Sequence, residues 1–180
     1  MSEELKKLKR EIHEKDYKIR SLESLVLKDS LTGIYNRRGF LELAKKIFND
    51  IRWLKAHPDS HREHFYIDAL TIIFFDIDNF KKINDAFGHE IGDKILQYVA
   101  AIVARKVRAS DFVGRWGGEE IVAALVGASE KDGTQKAEEI RKAVKSRVKI
   151  PKNPELKVTL SIGVAEFDGK TTLEELVKRA

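Results

Sequence analysis

The spacing of apolar residues divides the chain into a long N-terminal helix followed by a mixed helical and strand region. Between residues 5 and 26 the apolar positions repeat every seven residues, with Leu5, Ile12, Ile19 and Val26 at one heptad position and Leu8 and Leu22 at the other. Such a repeat is typical of a coiled-coil seam. Lys15 and Asp29 interrupt the second position, so the seam is covered either by a partner helix or by the surface of the domain itself.

The rest of the chain alternates between helical and strand patterns. Helical periodicity predicts helices over 37–56, 80–87, about 93–108, 131–148 and 171–180, whereas β-branched and aromatic runs predict strands over 68–78, 111–116, 119–126 and 157–167. Gly88 is expected to close the second helix, and Thr171 or Thr172 to cap the last one. This order favours an α+β fold in which a mostly antiparallel sheet is covered by helices.

Length and composition suit one globular domain with an appendage. The 180 residues are 42% hydrophobic, which is enough for one full core but leaves little room for a second. Cysteine is absent, which excludes disulfides and thiolate metal sites and suits a reducing cytoplasm. No apolar run reaches the roughly 18 residues of a membrane helix, so we expect a cytoplasmic chain with no membrane partner.

Neither the net charge nor the histidines indicate a further partner. The net charge is +5, but the charged residues are of both signs and form no basic stripe interleaved with aromatic residues, so no nucleic-acid partner is expected. His57, His61 and His64 share one polar loop. Because no cysteine or acid spacing supports zinc there, solvated histidines are favoured over a metal site.

Two acids end the predicted strand over 68–78. Asp76 and Asp78 stand at positions i and i+2, so both side chains emerge on the same face of the strand. Placing two carboxylates together at the end of a buried strand is unfavourable unless a cation or hydrogen bonds compensate their charge.

A glycine pair offers the complement to this strand end. Gly117 and Gly118 tolerate positive φ at both positions of a tight turn, leave backbone open to a ligand, and deliver Glu119 or Glu120 to the returning strand. If the hairpin lies beside the first strand, the acids converge around the Ile77 carbonyl as an oxygen-only site for Mg²⁺ or Mn²⁺. The alternative is a simple turn with solvated glutamates, which the acidic strand end makes less favoured.

Four motifs follow one another along the chain: DSLTGIYNRRGF, FFDIDNFKKINDAFGHEIGDKIL, RWGGEEI and VTLSIGVAEF. In this order they resemble the GGDEF family of diguanylate cyclases, which condense two GTP into cyclic di-GMP, and the similarity extends from about residue 29 to residue 180. The resemblance implies a nucleotidyl cyclase domain similar to the palm of polymerases, with a central five-stranded, mostly antiparallel sheet wrapped by helices. It divides the chain into an N-terminal coiled-coil helix over 1–28 and a GGDEF catalytic domain over 29–180.

The resemblance also implies roles for the acids. Asp76 and Glu119 would hold the metal, Mg²⁺ or Mn²⁺, with help from the Ile77 carbonyl. Two ions would activate the 3′-hydroxyl and neutralise the leaving pyrophosphate. Glu120 would be a supporting metal ligand or a base near the nucleophile. The implied catalytic set is Gly117, Gly118, Glu119 and Glu120.

GTP contacts are implied in the segment that follows the acidic strand. Backbone amides of Asn79, Phe80 and Lys81, at the start of a helix, would cradle the phosphates, because a helix N-terminus offers unpaired N–H groups to an anion. Asn84 and Asp93 would contact the donors on the guanine edge. From the residues alone, Asn84 could equally satisfy backbone near a helix end, and Asp93 has the features of an N-cap.

Arg108 and Asp111 resemble the allosteric product site of the family, where the arginine would bind a guanine or phosphate of cyclic di-GMP. A surface ion pair that contributes little stability is the alternative. Family members often add a second arginine from the next helix. Arg141 is available for that role, but the neighbouring Glu138 and Glu139 compete for it.

The implied chemistry requires a homodimer, because each domain would hold one GTP and two active sites must meet. The coiled coil would raise the effective concentration of the two domains. Beyond the position of Ala180 the family normally continues with a helix carrying a lysine and an arginine for the triphosphate, so the 29–180 domain is expected to lack the usual C-terminal end. The predicted function is a diguanylate cyclase with product feedback, and the alternative is a non-catalytic receptor for GTP or cyclic di-GMP that signals through the coiled coil.

Overall fold

The computed structural model describes residues 8–10, 12, 14–15, 26–57, 69–150 and 153–180. The elements in chain order are β1 (Tyr35–Asn36), α1 (Arg37–Ala56), β2 (Leu70–Ile77), α2 (Phe80–Phe87), α3 (His89–Lys106), β3 (Phe112–Gly117), β4 (Glu120–Val126), α4 (Glu130–Arg147), β5 (Lys149–Ile150), β6 (Asn153–Lys157), β7 (Leu160–Glu166) and α5 (Leu173–Arg179). Residues 8–10, 12, 14–15 and 26–27 are also helical.

The central sheet has five strands in the order β1-β3-β4-β2-β7. β1 and β3 are parallel, and every other pair of neighbours in this sheet is antiparallel. β5 and β6 form a separate two-stranded sheet. The predicted α+β class, with a five-stranded and mostly antiparallel sheet wrapped by helices, is confirmed.

Each face of the central sheet buries its own hydrophobic cluster. Ile73, Phe75 and Ile77 of β2 pack with residues of α3 and α4 on one face. The alternate residues Leu70 and Ile72 pack with residues of α1 and α5 on the other face. Because β2 is covered on both sides, its residues 72–75 are all apolar, and the buried Thr71 hydroxyl is satisfied by donating to the Ala128 carbonyl at 2.7 Å.

The N-terminal helical residues connect to the domain through Asn36. Its Nδ2 donates to the carbonyl oxygens of Val26 at 2.7 Å and Lys28 at 3.3 Å, while its Oδ1 accepts from the Gly39 amide at 2.9 Å and caps α1. Three residues of the predicted seam, Leu8, Ile12 and Val26, are exposed. Leu5, Ile19 and Leu22 lie outside the described residues, so the coiled coil stays a prediction.

Two local predictions are wrong in detail. α3 begins at His89 rather than Asp93, because Gly88, with a φ of 86°, both ends α2 and precedes α3. This places Asp93 inside α3, so its interpretation as an N-cap is wrong. The hairpin turn is formed by Gly118 and Glu119, because Gly117 is the last residue of β3 and pairs with Glu120.

Candidate active site

The structure brings the predicted acids together at one end of the sheet. Asp76, near the end of β2, lies opposite Glu120 of β4 in the antiparallel ladder. Burial raises the pKa of the Asp76 carboxyl, and the charges of Glu119 and Asp78 raise it further. A cation bound at this point would relieve the repulsion among these carboxylates.

The donors available around Asp76 are oxygens. Asp76 and Glu119 supply carboxylates, whereas the Ile77 side chain is apolar and buried in the core, so its backbone carbonyl is the one donor that Ile77 could offer to a cation. Oxygen donors suit a hard divalent cation such as Mg²⁺ or Mn²⁺. The part of the chain that the structure describes contains no group of three or more His, Cys, Asp or Glu side chains placed to hold a metal. The predicted set of two carboxylates and one carbonyl does not require such a group.

The glycines of the hairpin provide space rather than an unusual backbone conformation. Neither Gly117 nor Gly118 has a positive φ, so the turn does not use the positive φ that these glycines would tolerate. A Cβ on Gly117 would lie 2.9 Å from Oε2 of Glu120, whereas a Cβ on Gly118 would meet nothing within 4 Å. Gly117 therefore leaves room for the Glu120 carboxylate, and Gly118 keeps the turn open to a ligand.

Arg115 anchors this turn to the segment that follows the N-terminal helical residues. Its Nε donates to the Gly118 carbonyl at 2.9 Å, and its NH1 pairs with the Asp29 carboxylate at 3.1 Å. Burial alone would raise the pKa of Asp29, but hydrogen bonds from Thr32 and the charge of Arg115 outweigh it and hold that pKa below its usual value. The carbonyl before Glu119 is thus fixed by a cation that is itself held in place.

Asp78 differs from Asp76 because its carboxylate is already satisfied. Oδ2 accepts from the Thr159 hydroxyl and Oδ1 from the Ser161 hydroxyl, both at 2.6 Å. The Asp78 amide also donates to the Thr159 carbonyl at 3.1 Å. These bonds fasten the end of β2 to the start of β7, so Asp78 is placed to support the site rather than to bind an ion.

The predicted phosphate turn begins directly after Asp78. Asn79 has a φ of 57° and a ψ of 28°, and it is the N-cap of α2 without a capping hydrogen bond from its side chain. Left-handed backbone is unusual for a residue with a side chain. Phe80 is 9% exposed and Lys81 is exposed, so Phe80 can offer a ligand only its backbone amide.

Asn84 carries an unsatisfied polar atom that faces Gly92. Its Oδ1 is buried and has no hydrogen-bond partner among the described residues. A Cβ on Gly92 would lie 1.8 Å from that oxygen, so only glycine leaves room for it. The oxygen is therefore an acceptor without a donor among the described residues. This contradicts the alternative in which the amide oxygen of Asn84 satisfies the backbone of a helix end. Asp93, the next residue of α3, is exposed.

Arg108 and Asp111 lie together at the loop between α3 and β3, but not as an ion pair. The Asp111 carboxylate accepts from the backbone amides of Arg108 at 2.8 Å and Val126 at 3.0 Å. Both residues line a cavity of about 210 Å³ against α4. Arg141 is engaged elsewhere, because its Nε and NH2 donate to Glu138 at 2.6 and 2.8 Å, and the pKa of Glu138 falls to about 2.

The predicted histidine loop lies mostly beyond the described residues. His57 is described, and its Nδ1 lies 2.9 Å from the Trp53 carbonyl oxygen, while its ring stacks on the Trp53 ring. His61 and His64 lie outside the described residues. Separately, none of the helices that the structure describes is both long enough and apolar enough to cross a membrane.

Three supporting residues have weak signals in the sequence. Thr159 and Ser161 alternate at the start of the last strand, as a pair of residues on one face of β7 that could bind an acid. Arg115 stands two residues before Gly117, but nothing nearby identifies its partner Asp29. The spacing of two hydroxyl residues at i and i+2 is the sequence signal that could have identified Thr159 and Ser161 as partners of an acid.

Two curated relatives share parts of the chain. Diguanylate cyclase DgcP of Pseudomonas aeruginosa is 34% identical over 154 residues, which cover 86% of this chain and 21% of DgcP. Diguanylate cyclase DosC of Escherichia coli K12 is 40% identical over 112 residues, which cover 62% of this chain and 24% of DosC. The chain thus spans less than a quarter of the length of these relatives.

The three-dimensional fold and a family model give the same assignment. The crystal structure of the GGDEF domain of DgcB from Caulobacter crescentus, in complex with c-di-GMP, superposes with a TM-score of 0.69 at 28% identity, covering 86% of this chain and 85% of that one. The family model described as diguanylate cyclase, GGDEF domain, matches residues 26–180. Because this match spans most of the sequence, the chain belongs to the GGDEF-domain diguanylate cyclase family.

Proposed function

We propose that this chain is a metal-dependent diguanylate cyclase that condenses two GTP into cyclic di-GMP and releases two pyrophosphates. The observation that carries the proposal is the meeting of acids at one end of the sheet, where Asp76 lies opposite Glu120 in the ladder and burial and the charges of Glu119 and Asp78 raise its pKa. Such a group favours a bound cation over solvent. The relatives DgcP and DosC are named diguanylate cyclases, which supports the same reaction here.

Asp76, Glu119 and the Ile77 carbonyl would hold the cation, Mg²⁺ or Mn²⁺. When bound, it supplies positive charge beside the triphosphate and the leaving pyrophosphate. Arg115 keeps the Gly118 carbonyl in position, and so restricts where the Glu119 carboxylate can lie. Glu120, opposite Asp76 in the ladder, is the candidate for a supporting ligand or a base near the nucleophile.

GTP would bind with its guanine at Asn84 and its phosphates at the start of α2. The buried Asn84 oxygen can accept from the N1 or N2 donors of guanine, a pairing that adenine cannot reproduce with the same atoms. Asp93, on the adjacent turn of α3, is the second candidate for the same edge. The amides of Asn79, Phe80 and Lys81 would donate to phosphate oxygens.

Two chains are needed for the reaction. The 3′-oxygen of one GTP attacks the α-phosphorus of the other, the bond to pyrophosphate breaks, and the hydroxyl proton is released. The 3′-oxygen of the second nucleotide then attacks the α-phosphorus of the first, a second pyrophosphate leaves, and the ring closes. With one GTP per domain, we propose a homodimer held by a parallel coiled coil, for which the exposure of Leu8, Ile12 and Val26 leaves an apolar face available.

The dimer is tested by placing lysine on the seam at Ile12 and Ile19. The variant should sediment as a monomer and form product slowly. Glu14→Lys changes charge at an exposed position off the seam and serves as the control. A dimer of unchanged activity would contradict this role for the helix.

Product feedback is proposed at Arg108 and Asp111. Arg108 borders the cavity of about 210 Å³ and forms no ion pair at contact distance among the described residues, although its charge acts on Asp132 of the same lining, so its guanidinium donors can bind a guanine or phosphate. The DgcB domain was crystallised with c-di-GMP, which supports a product-bound state in this family. Arg108→Ala should remove inhibition by added cyclic di-GMP while leaving the initial rate unchanged.

The whole proposal is tested by incubating the purified chain with GTP and Mg²⁺ and detecting cyclic di-GMP by mass spectrometry. Product should form with the wild-type chain and with Asp85→Asn, an exposed acid of α2, but not with Asp76→Ala or Glu119→Ala. If no product forms but cyclic di-GMP still binds, the chain is a receptor. If no guanine nucleotide binds, the site assignment is wrong.

A further inference from the structure

A second large cavity lies at the opposite end of the sheet from Asp76. Its volume is about 500 Å³, and its walls come from residues 28–35, from α1, and from the end of α3 through the start of β3. Phe112, in its lining, pairs with Ala124, which pairs with Ile72, four residues before Asp76 along β2. At about 3.3 Å per residue, this separates the cavity from the acids by roughly 13 Å.

The interior of this cavity is apolar. Its walls include Ile34, Leu43, Ile47, Val107, Phe112 and Val113. A volume of about 500 Å³ falls within the range of small-molecule sites, which are typically lined by apolar side chains and marked by a few charges.

Positive charges outnumber negative ones at the cavity. Lys28, Lys46 and Arg108 line it, and none of them forms an ion pair at contact distance with a carboxylate of the described residues, although the charge of Arg108 acts on Asp132 from further away. Asp111 also lines it, but both of its oxygens already accept from backbone amides. The lining therefore carries three positive charges against the one negative charge of Asp111, an excess of positive charge beside an apolar interior.

Lys28 shows this imbalance most clearly. Its ammonium lies 3.3 Å from the centroid of the Tyr35 ring, in place of an acid. Burial lowers the pKa of Lys28, and no neighbouring negative charge offsets this. An anion beside it would restore the balance.

We propose that this cavity binds an anionic amphiphile, with an alkyl or aryl body against Ile47, Val107 and Phe112 and a carboxylate or similar head group among Lys28, Lys46 and Arg108. Charge complementarity selects the head group, and the apolar walls select the body. A sugar or a peptide rich in polar groups would leave hydrogen-bonding atoms unsatisfied against these walls.

The location of Arg108 gives this site a consequence for the proposed feedback. Arg108 and Asp111 line both this cavity and the cavity of about 210 Å³ against α4. One guanidinium cannot bind both ligands, so the amphiphile competes with cyclic di-GMP and relieves inhibition. This consequence rests on the proposed product site, whereas binding of the amphiphile itself does not.

Binding is tested by isothermal titration calorimetry of the full chain with decanoate below its micelle concentration. Decanoate should bind at one saturable site, and each methylene removed towards hexanoate should weaken binding by about fourfold. Decyltrimethylammonium, with the same chain and opposite charge, should not bind. Equal binding of both amphiphiles would show a nonspecific apolar surface and overturn the proposal, as would the absence of decanoate binding.

Two matched pairs of variants locate the site. Lys46→Met should weaken decanoate about tenfold by removing a charged donor, whereas its exposed neighbour Lys45→Met should not. Ala104→Phe fills the cavity from an exposed position of α3 and should abolish binding, whereas Ala101→Phe, one turn earlier, should not. If the members of either pair bind alike, decanoate binds elsewhere and the proposal fails.

The cyclase assay on the same sample separates this inference from the proposed function. Decanoate binding in a chain that makes no cyclic di-GMP would support the cavity and refute the enzyme. Product formation without decanoate binding would support the enzyme and refute the proposed cavity site. In an active chain, decanoate should raise the concentration of cyclic di-GMP needed for half inhibition, and a constant value would refute the coupling.

Discussion

Asp76 and Asp78 stand two residues apart at the same end of β2, yet they have opposite surroundings. The Asp78 carboxylate accepts two hydroxyl hydrogen bonds of 2.6 Å. Asp76 has a pKa raised by burial and by two neighbouring carboxylates. An acid whose charge the protein satisfies holds the fold together, whereas one left unsatisfied is available to a ligand.

Two asparagines repeat this contrast. Asn36 uses both ends of its amide, donating to the Val26 and Lys28 carbonyls and accepting from the Gly39 amide. Asn84 buries an oxygen that has no partner among the described residues. The same side-chain chemistry thus caps a helix at one place and leaves an open acceptor at the other, and only the second is a candidate for substrate binding.

The largest effect is expected on activity at the unsatisfied acid. Asp76→Asn keeps the side-chain volume but removes the charge, so the rate of cyclic di-GMP formation should fall on the order of a thousandfold. Asp85→Asn, which removes an exposed acid of α2, should leave the rate unchanged. Initial rates at saturating GTP and Mg²⁺ measure this. A fall of only a few fold would mean that Asp76 holds no essential charge.

For the free energy of unfolding, the loss is expected at Asp78 and not at Asp76. Asp78→Ala removes the acceptor for two hydroxyls and should lower the free energy of unfolding by about 2–3 kcal/mol. Asp76→Asn should raise it at neutral pH, because a carboxyl with a raised folded pKa destabilises the fold once the pH exceeds its ordinary value of 3.8. Urea unfolding of both variants at pH 7 tests the comparison. Equal losses would show that both acids are structural.

A smaller effect is expected at the unsatisfied amide. Gly92→Ala places a methyl group where the Asn84 oxygen lies, at 1.8 Å, so that side chain must turn away from the guanine position. Losing one hydrogen bond to the base should raise KM for GTP about tenfold. In an Asn84→Ala background the same glycine substitution should have little further effect. Additive losses in the double variant would mean that Gly92 acts independently of Asn84.

The elements that the sequence predicted are those long enough to show a period. β2 and α4 bury apolar residues over many positions, so their patterns identify them. β1 and β5 have two residues each, which is too short for alternation to be visible. The predicted start of α3 is wrong because Gly88 is both the C-cap of α2 and the N-cap of α3. No local sequence pattern shows that one residue has both positions.

The candidate site was predictable for a different reason. Spacing alone places Asp76 and Asp78 on one face, but the family resemblance supplied the roles of Asn84 and Arg108. The resemblance assigns the metal to Asp76 and not to Asp78, but neither source shows what satisfies Asp78, because the two hydroxyls come from 81 and 83 residues further along the chain. The link from Arg115 to Asp29 spans 86 residues. Satisfaction of polar groups depends on such distant contacts, so it becomes visible only in the folded structure.

The smallest effect is expected at Asp29, whose carboxylate, like that of Asp78, already has hydrogen-bond partners within the protein. Its folded pKa is lowered, so the charge stabilises the fold above its ordinary value of 3.8, and this contribution is lost as the pH falls through the lower folded value. Asp29→Asn should therefore reduce the free energy of unfolding by up to about 1 kcal/mol at pH 7 and by less in acid. Urea unfolding at pH 7 and pH 3 measures the difference, with Asp50→Asn as the control for removing an exposed carboxylate of α1. A loss that is equal at both pH values would show that the charge of Asp29 contributes nothing, and that Arg115 holds the Gly118 carbonyl without it.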